Sequence, residues 1–481
     1  MRTATLLLAV LGLGAGAAAD AVPIGGTRQL FIDDAVLAEM HGVSRIFHQP
    51  RKHPGNPVLS GERPWEGKMV EVGTVLYDEE ERIFKMWYGA LEMHYEMPPR
   101  PFDQYDNLLR ASKYREEFRP CYATSNDGIH WTRPELGLVE FQGSNKNNLL
   151  ARGGFGSLFK DARERNPARR YKLAGYWPRD RNGNYGVGVW FSPDGLHWTP
   201  FEGNPVIRGT SDVHTLLGWD ERIGKYVGYF RPGWSKDQAD FERLSPPAGK
   251  LRARTIGYST SEDFERWTPI VSALQPDAED PVDTQFYGMP ALKYEGHYLG
   301  FPWVFRTNEI THVPQLVWSR DGQHFKRTPG RCDFLPLGPA GAWDDGNAYV
   351  SRPFVHLDRI WFYYSGTRWR GMPDLFEMGD SARDAVGIAT LPLDGFASIQ
   401  AGPNPGTLTT RPILFAGRKL VVNFEESVKG YSGIDERTEL RIELVGDDGA
   451  PPARLRGPGC RRRGALRRAA AGDLERQGRC R

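Results

Sequence analysis

Four stretches decide the fold: Ser125-Asn-Asp-Gly-Ile-His-Trp131, Ser192-Pro-Asp-Gly-Leu-His-Trp198, Ser261-Glu-Asp-Phe-Glu-Arg-Trp267 and Ser319-Arg-Asp-Gly-Gln-His-Phe325. Their starts lie 67, 69 and 58 residues apart, and a degenerate fifth copy follows at Leu393-Asp-Gly-Phe396. The shared pattern is S-x-D-G-x-x-W. Its chemistry is that of a turn: Asp bonds to nearby backbone, Gly supplies a positive φ, and the aromatic packs back onto the sheet. Repetition at one period is the mark of a repeat architecture.

The segments around each copy read as strands. An apolar stretch precedes each turn: 120–124, 186–191, 255–260, 315–318 and 385–390. Upstream of each lies an aromatic strand, at 84–89, 171–177, 226–230, 298–303 and 360–365. A third strand lies upstream again, and a short fourth follows the turn, as at 131–133. Four strands per unit, five times over, predict an all-β five-bladed β-propeller. Stacked blades cover faces that one blade leaves bare, and the aromatic strands fill the wedges between them. A β-sandwich of ten or more strands is the competing architecture; sandwiches rarely repeat in sequence.

Working outward, residues 28–400 are assigned to the propeller, with Gln29–Asp34 as a strand ahead of the first blade. Segments at 406–415, 420–424 and 439–444 alternate like an antiparallel sheet, so 401–450 are expected to form a small β-sandwich-like appendix. Residues 1–19 read as a signal peptide: a basic start, an apolar run, and Ala17-Ala-Ala19 as a cleavage site. A secreted or periplasmic protein is expected. No stretch approaches the roughly 20 apolar residues of a membrane span. Residues 451–481 hold ten Arg against Asp473 and Glu475, a surplus of eight in a chain of net +2, which leaves the rest at −6. That tail is read as disordered or frame-shifted, and nucleic-acid binding is not expected of the acidic body. Four Cys, at 121, 332, 460 and 480, lack zinc spacing. A Cys121–Cys332 bridge is weighed and not favoured.

Leu30 to Asp34, His48-Gln-Pro50, Asn56-Pro-Val58, Pro64-Trp-Glu66, Asp394-Gly-Phe396, Ala401-Gly402 and Gly406 to Pro412 carry a resemblance. Over roughly residues 28–450 the chain resembles the five-bladed propellers of glycoside hydrolase families 32, 43, 68 and 130. It is most similar to exported bacterial proteins described as family 32 N-terminal-like. The resemblance implies an acid on blade one, an aspartate on blade three and a glutamate on a later blade. Glu71 matches the first by position, although that acid is usually Asp. Asp212 matches the second. No clear Glu marks the blade-four entry, only Asp280 and Asp283, so the proton donor stays open.

In a propeller the first strand of every blade lines the central channel, so acids at strand entries converge. Glycoside cleavage needs two carboxyl groups in different environments. Glu71, Asp212 and Asp283 are the catalytic candidates. His214, Arg231, Arg306, Asp345 and Arg352 are the substrate-binding candidates; Arg forks suit carboxylate or sulfate groups. Asp33 and Asp34 read as a turn, and Asp127, Asp194, Asp263 and Asp321 as structural parts of the repeat. Trp65, Trp234, Trp343 and Trp369 are placed in loops, where a ring can stack on a sugar. No phosphate loop, zinc-protease helix motif or hydrolase serine elbow occurs. No metal or cofactor is expected; a structural calcium in the channel has no support in the residues. The expected function is a secreted glycoside hydrolase acting on oligo- or polysaccharide through an acidic pocket on the axis. A non-catalytic glycan-binding propeller and an inverting glycoside phosphorylase are the alternatives. Oligomeric state is left open.

Overall fold

The computed structural model describes residues 2–9, 21–96, 113–151, 153–178, 183, 185–209, 212–232, 254–371, 378, 383–402, 404–416, 420–423 and 438–445. The Arg-rich tail and Trp234 lie outside them. Among the described residues every element of defined bounds is a strand or a single turn of 3-10 helix. The chain divides into two compact units, Pro50–Leu393 and a second made of Met1–Gln49 with Asp394–Arg481. These bounds differ from the expected 28–400 and 401–450, because the N-terminal segment joins the C-terminal one.

In Pro50–Leu393 each repeat builds one antiparallel set of strands, called a sheet below; parallel bridges from His312 to Asn347 and from Asp384 to Met69 link the prolonged strands of the fourth set, the fifth set and the first into one 12-stranded sheet. The first sheet contains Met69–Asp78, Ile83–Glu96 and Lys113–Ser125. The second contains Ser157–Lys160, Tyr171–Trp177, Gly186–Ser192 and Thr199–Pro200. The third contains His214–Asp220, Lys225–Phe230, Ile256–Ser261 and Val271–Leu274. The fourth is built from Ala291–Tyr294, His297–Gly300, Val317–Ser319 and Lys326–Arg327. Its strands are prolonged past Pro290, Pro302 and Pro314 by Thr284–Phe286, Trp303–Arg306 and Thr311–Pro314. Proline has no N–H for the ladder, so each long strand breaks there. The fifth contains Asn347–Val350, Arg359–Thr367 and Asp384–Pro392. Arg51–Lys52 and Leu59–Ser60 pair with Asp384–Pro392, so chain from before the first sheet completes the fifth.

Successive sheets are joined by side chains that bond to a neighbour's backbone. Thr74 Oγ1 donates to Gly156 O and accepts from Leu158 N. Leu216 N donates to Ser157 Oγ, and Thr215 Oγ1 to Met289 O. His312 N donates to Asn347 Oδ1, and Val72 N to Ser365 Oγ. The order runs first, second, third, fourth, fifth and back to first. Apolar packing follows it. Trp87 and Tyr122 meet Leu158 and Tyr171; Val187 and Phe191 meet Leu216 and Tyr226. Tyr229 meets Phe286 and Tyr298, Phe301 meets Phe362, and Val70 and Tyr88 meet Tyr363 and Ile388. Each sheet is therefore covered on both faces, and His214–Asp220 is buried along nearly its whole length.

The repeated turn fastens this arrangement. Asp127 Oδ1 accepts from Ser125 Oγ, Ile129 N and His130 N at 2.8–3.0 Å, and its Oδ2 lies 2.7 Å from His130 Nδ1. Asp194, Asp263 and Asp321 repeat the pattern with His197, Arg266 and His324. The glycine carbonyl then reaches the preceding sheet: Gly128 O accepts from Tyr363 OH, Gly195 O from Trp87 Nε1 and Gly322 O from Tyr229 OH. The four aspartates are thus structural, as the sequence repeat indicates. A second periodic device went unread. Asp78, Asp161 and Asp220, each at or just past the end of a first strand, accept from Tyr171, Tyr226 and Tyr298 of the next sheet and from Lys85, Lys172 and Lys293.

The other unit holds a four-stranded sheet ordered Leu37–His41, Gly406–Thr410, Arg2–Ala9, Thr438–Val445. Val22–Gly25 pairs with Ile413–Phe415, and Val43–Phe47 with Ala397–Ala401. Three strand assignments are corrected. Gln29–Asp34 is a loop that buries Leu30 and Ile32; Asp33 Oδ1 turns back to Ala35 N at 3.1 Å. Residues 420–423 form no strand, and 131–133 make only a single bridge, Thr124 to Thr132. Cys121 is a free buried thiol in the core, so no 121–332 bridge forms. No helix among the described residues is long and apolar enough to cross a membrane.

Candidate functional site

Glu71 lies three residues into Met69–Asp78, partly exposed between buried Val70 and Val72. Asp384 opens the third strand of the fifth sheet, directly beside Met69, and is only 1% exposed. Its Oδ1 accepts from Trp369 Nε1 at 2.6 Å, and its Oδ2 has no partner among the described residues. Burial, with the nearby charge of Glu71, pushes the Asp384 carboxyl well above the ordinary carboxylate range against the Trp369 hydrogen bond. Burial and that neighbouring charge both favour the protonated form of Asp384.

Tyr349 stands between this pair and an aromatic wall. Burial first, then the nearby Tyr287, Glu71 and Asp384, keep its phenol protonated. Tyr349 OH lies 2.9 Å from His312 Nδ1, which is equally close to Asn347 Oδ1. The His312 ring stacks on Phe305 at 4.3 Å and meets Tyr287 edge-on at 4.7 Å. Burial pushes its pKa down to about 3, against the Asn347 hydrogen bond and with help from Arg254 and Arg231, so the imidazole is neutral. Its Nε2 has no partner among the described residues.

On the third sheet, Asp212 precedes His214–Asp220, with 60% of its side chain exposed, and ion-pairs with Arg231. The Arg231 guanidinium also lies 4.0 Å above the Tyr287 ring, and Arg254 approaches Tyr287 and Phe305 at 5.5 Å. Arg254 Nη1 donates to Gln285 Oε1 at 2.5 Å. Glu71, Asp384, Tyr349, His312, Tyr287, Arg231 and Asp212 therefore form one connected series across the first, third, fourth and fifth sheets. His214 is buried below Asp212, 6.3 Å from the Phe230 ring.

Other candidates lie elsewhere. Asp283 accepts from Thr307 N through its carbonyl and from Asn308 N through Oδ2, holding a turn at the end of the prolonged fourth sheet. Arg306 donates to Thr284 Oγ1 in the same pair of strands. Asp345 Oδ2 accepts from Gly341 N at 2.6 Å within its loop. Glu66, beside the blade-one entry, is fully buried and consumed by Tyr88, Arg133 and two backbone N–H groups. Trp65 and Trp369 spend their indole N–H on Asn148 and Asp384, and Trp343 stacks on Tyr364. Among the described residues no His, Cys, Asp and Glu group suits a metal ion.

Sequence reasoning missed Asp384, Tyr349, His312, Tyr287 and Arg254. The sequence repeat points only to first-strand entries. Asp384 and His312 open or sit on third strands, which in the fourth and fifth sheets reach the same end. The single available signal was an acid heading the Ala385–Thr390 strand.

No family model matches the chain. An uncharacterized protein of Mycobacterium tuberculosis (strain ATCC 25618 / H37Rv) is 32% identical over 130 residues, 24% of this chain. The chain spans about 40% of the length of that curated relative. Among solved structures, it is similar to a putative glycosidase from Bacteroides thetaiotaomicron (TM-score 0.43, 14% identity, 70% of this chain and 96% of that one). It is also similar to a β-1,2-mannobiose phosphorylase from Listeria innocua (TM-score 0.43, 12% identity, 71% and 96%). A thermostable family-43 glycoside hydrolase gives a TM-score of 0.43 at 14% identity over 71% and 97%.

Proposed function

We propose that Pro50–Leu393 is a five-bladed β-propeller that cleaves a glycosidic bond at the end of its axis where Glu71, Asp212, Tyr349 and Asp384 lie. The cyclic order of inter-sheet hydrogen bonds supports the ring. The observation that carries the chemistry is the buried Asp384 carboxyl, its Oδ2 unpartnered among the described residues and its pKa raised by burial and by Glu71.

Hydrolysis asks for a proton on the leaving oxygen and a base for water. The proton favoured on Asp384 answers the first need: it passes to Glu71, the partly exposed member of the pair, and from Glu71 to the leaving oxygen. Asp212, exposed and anchored by Arg231, answers the second by taking a proton from water. Tyr287, under the Arg231 guanidinium, offers a ring face to a sugar. The substrate class is an oligo- or polysaccharide. Export to the periplasm or beyond is part of the reading and rests on residues 1–19. An N-terminus at Asp20 in the exported protein tests it. Residues 2–9 lie between two strands of the terminal sheet, so cleavage there removes a strand from that unit alone.

The test is digestion of a glycan panel by the intact chain and by Asp212→Asn and Glu71→Gln. Each substitution is expected to lower turnover about 10²–10⁴-fold without loss of fold. Full activity in Asp212→Asn removes it from the mechanism. Binding of a glycan with no turnover by the wild type reduces the protein to a lectin-like propeller.

A further inference from the structure

The strongest feature outside that site is Arg352. It follows the inner strand Asn347–Val350 of the fifth sheet by two residues. Yet its Nη1 sits 3.7 Å from where a Cβ on Gly218 of the third sheet would be, and Phe159 of the second sheet lies equally close to that point. A fifth-sheet side chain meets the second and third sheets together only across the inside of the ring. Gly218 has φ +95° and stands at a bulge, where the register with Lys225–Phe230 shifts. Few side chains tolerate that backbone, so the wall opposite the guanidinium is bare main chain.

Among the described residues the guanidinium has no acceptor. No described carboxylate, carbonyl or hydroxyl bonds to it, whereas Arg231, Arg327 and Arg331 in the same body pair with Asp212, Asp280 and Asp277. Withdrawal from water lowers its pKa to about 10, with no opposing carboxylate, and it stays cationic at neutral pH. A partly buried cation of five donors with no acceptor among the described residues is costly unless something else supplies the charge. Arg352 also lies three residues beyond Tyr349, roughly 10 Å further along the axis at strand rise.

We propose that Arg352 binds an anion in the axial channel, below the Glu71–Asp384 end. The ligand is a small inorganic ion or the carboxylate or sulfate of an acidic sugar that reaches the channel floor. The site does not depend on glycoside cleavage, and an inactive protein would still hold the ion.

The test uses the full chain. Crystals grown in sodium bromide are expected to show an anomalous peak within hydrogen-bond reach of the Arg352 guanidinium, and none there in Arg352→Met. Raising sodium bromide from about 1 to about 100 mM is expected to lift the wild-type melting midpoint by about 3 °C more than that of Arg352→Met, saturably. No peak at Arg352, or identical bromide responses, overturns the proposal. If Arg352→Met does not fold, Arg352→Lys serves: a response displaced to higher bromide supports the site, and an unchanged one sinks it. Displacement of bromide by galacturonate but not by galactose assigns the anion to the sugar. Retention in galacturonate assigns it to an inorganic ion.

Discussion

Asp78→Ala is expected to weaken the repeat body by about 3–5 kcal/mol. The carboxylate is fully buried and receives Lys85 at 2.9 Å, Lys160 at 2.8 and 2.9 Å, Tyr171 OH at 3.1 Å and Glu80 N at 3.1 Å. Each charge-assisted bond contributes about 1.5–3 kcal/mol. Lys85 keeps Glu81 at 2.5 Å and Lys160 keeps Glu80 at 3.1 Å, so neither ammonium is stranded and the sum is not lost in full. In urea unfolding followed by tryptophan fluorescence, a slope of about 3 kcal/mol/M turns this into a midpoint lowered by about 1–1.7 M. The pH dependence supplies the second readout. Burial alone would raise the Asp78 carboxyl, but hydrogen bonds from Lys160 and Lys85 outweigh it and hold it far below the ordinary range. A depressed folded pKa stabilises above the unfolded value of about 3.9 and is lost as pH falls through the folded one. The gap between wild type and variant should therefore be full at pH 5 and shrink toward pH 2. A midpoint shift under about 0.3 M, or a gap that does not close in acid, would refute the hub.

Gly195→Ala should destabilise by about 2 kcal/mol or more, because φ is +81° and the new Cβ would stand 2.6 Å from the Trp87 ring; differential scanning calorimetry measures it. Glu71→Gln removes the charge that helps raise Asp384, so the Asp384 pKa falls and the basic limb of any pH–rate profile moves to lower pH. An unmoved limb breaks the coupling. His312 should show no imidazole titration between pH 5 and 8 by NMR, since burial holds its pKa down to about 3. Because the unfolded imidazole protonates near 6.5, its contribution is present above that pH and declines as pH falls toward 3.

The terminal unit shows where reading a chain in order fails. Alternation marks 406–415 and 439–444 as strands, and both segments carry them. Their partners, Arg2–Ala9, Val22–Gly25 and Leu37–His41, come from the far end of the chain, and 420–423 was not a strand at all. Alternation tells which residues can form a strand and not which strand they meet. The site divides the same way. Asp212 and Glu71 were found because they sit at the entries of first strands. Asp283 satisfied the same rule and holds the 307–308 turn. Asp384 and His312 broke the rule and stand in the connected series with Glu71 and Arg231.

By itself the sequence determined the unit of construction. The S-x-D-G-x-x-W turn encodes its own geometry, because an aspartate bonding to two backbone N–H groups within three residues needs no distant partner. The strand sequence, the repeat and the structural role of its aspartates followed from that local chemistry. Tertiary structure alone decided the site. Charge coupling, burial and the placement of Asp384, Tyr349 and Arg352 depend on residues hundreds of positions apart, and the low dielectric that raises one carboxyl and isolates one guanidinium exists only after the sheets have stacked.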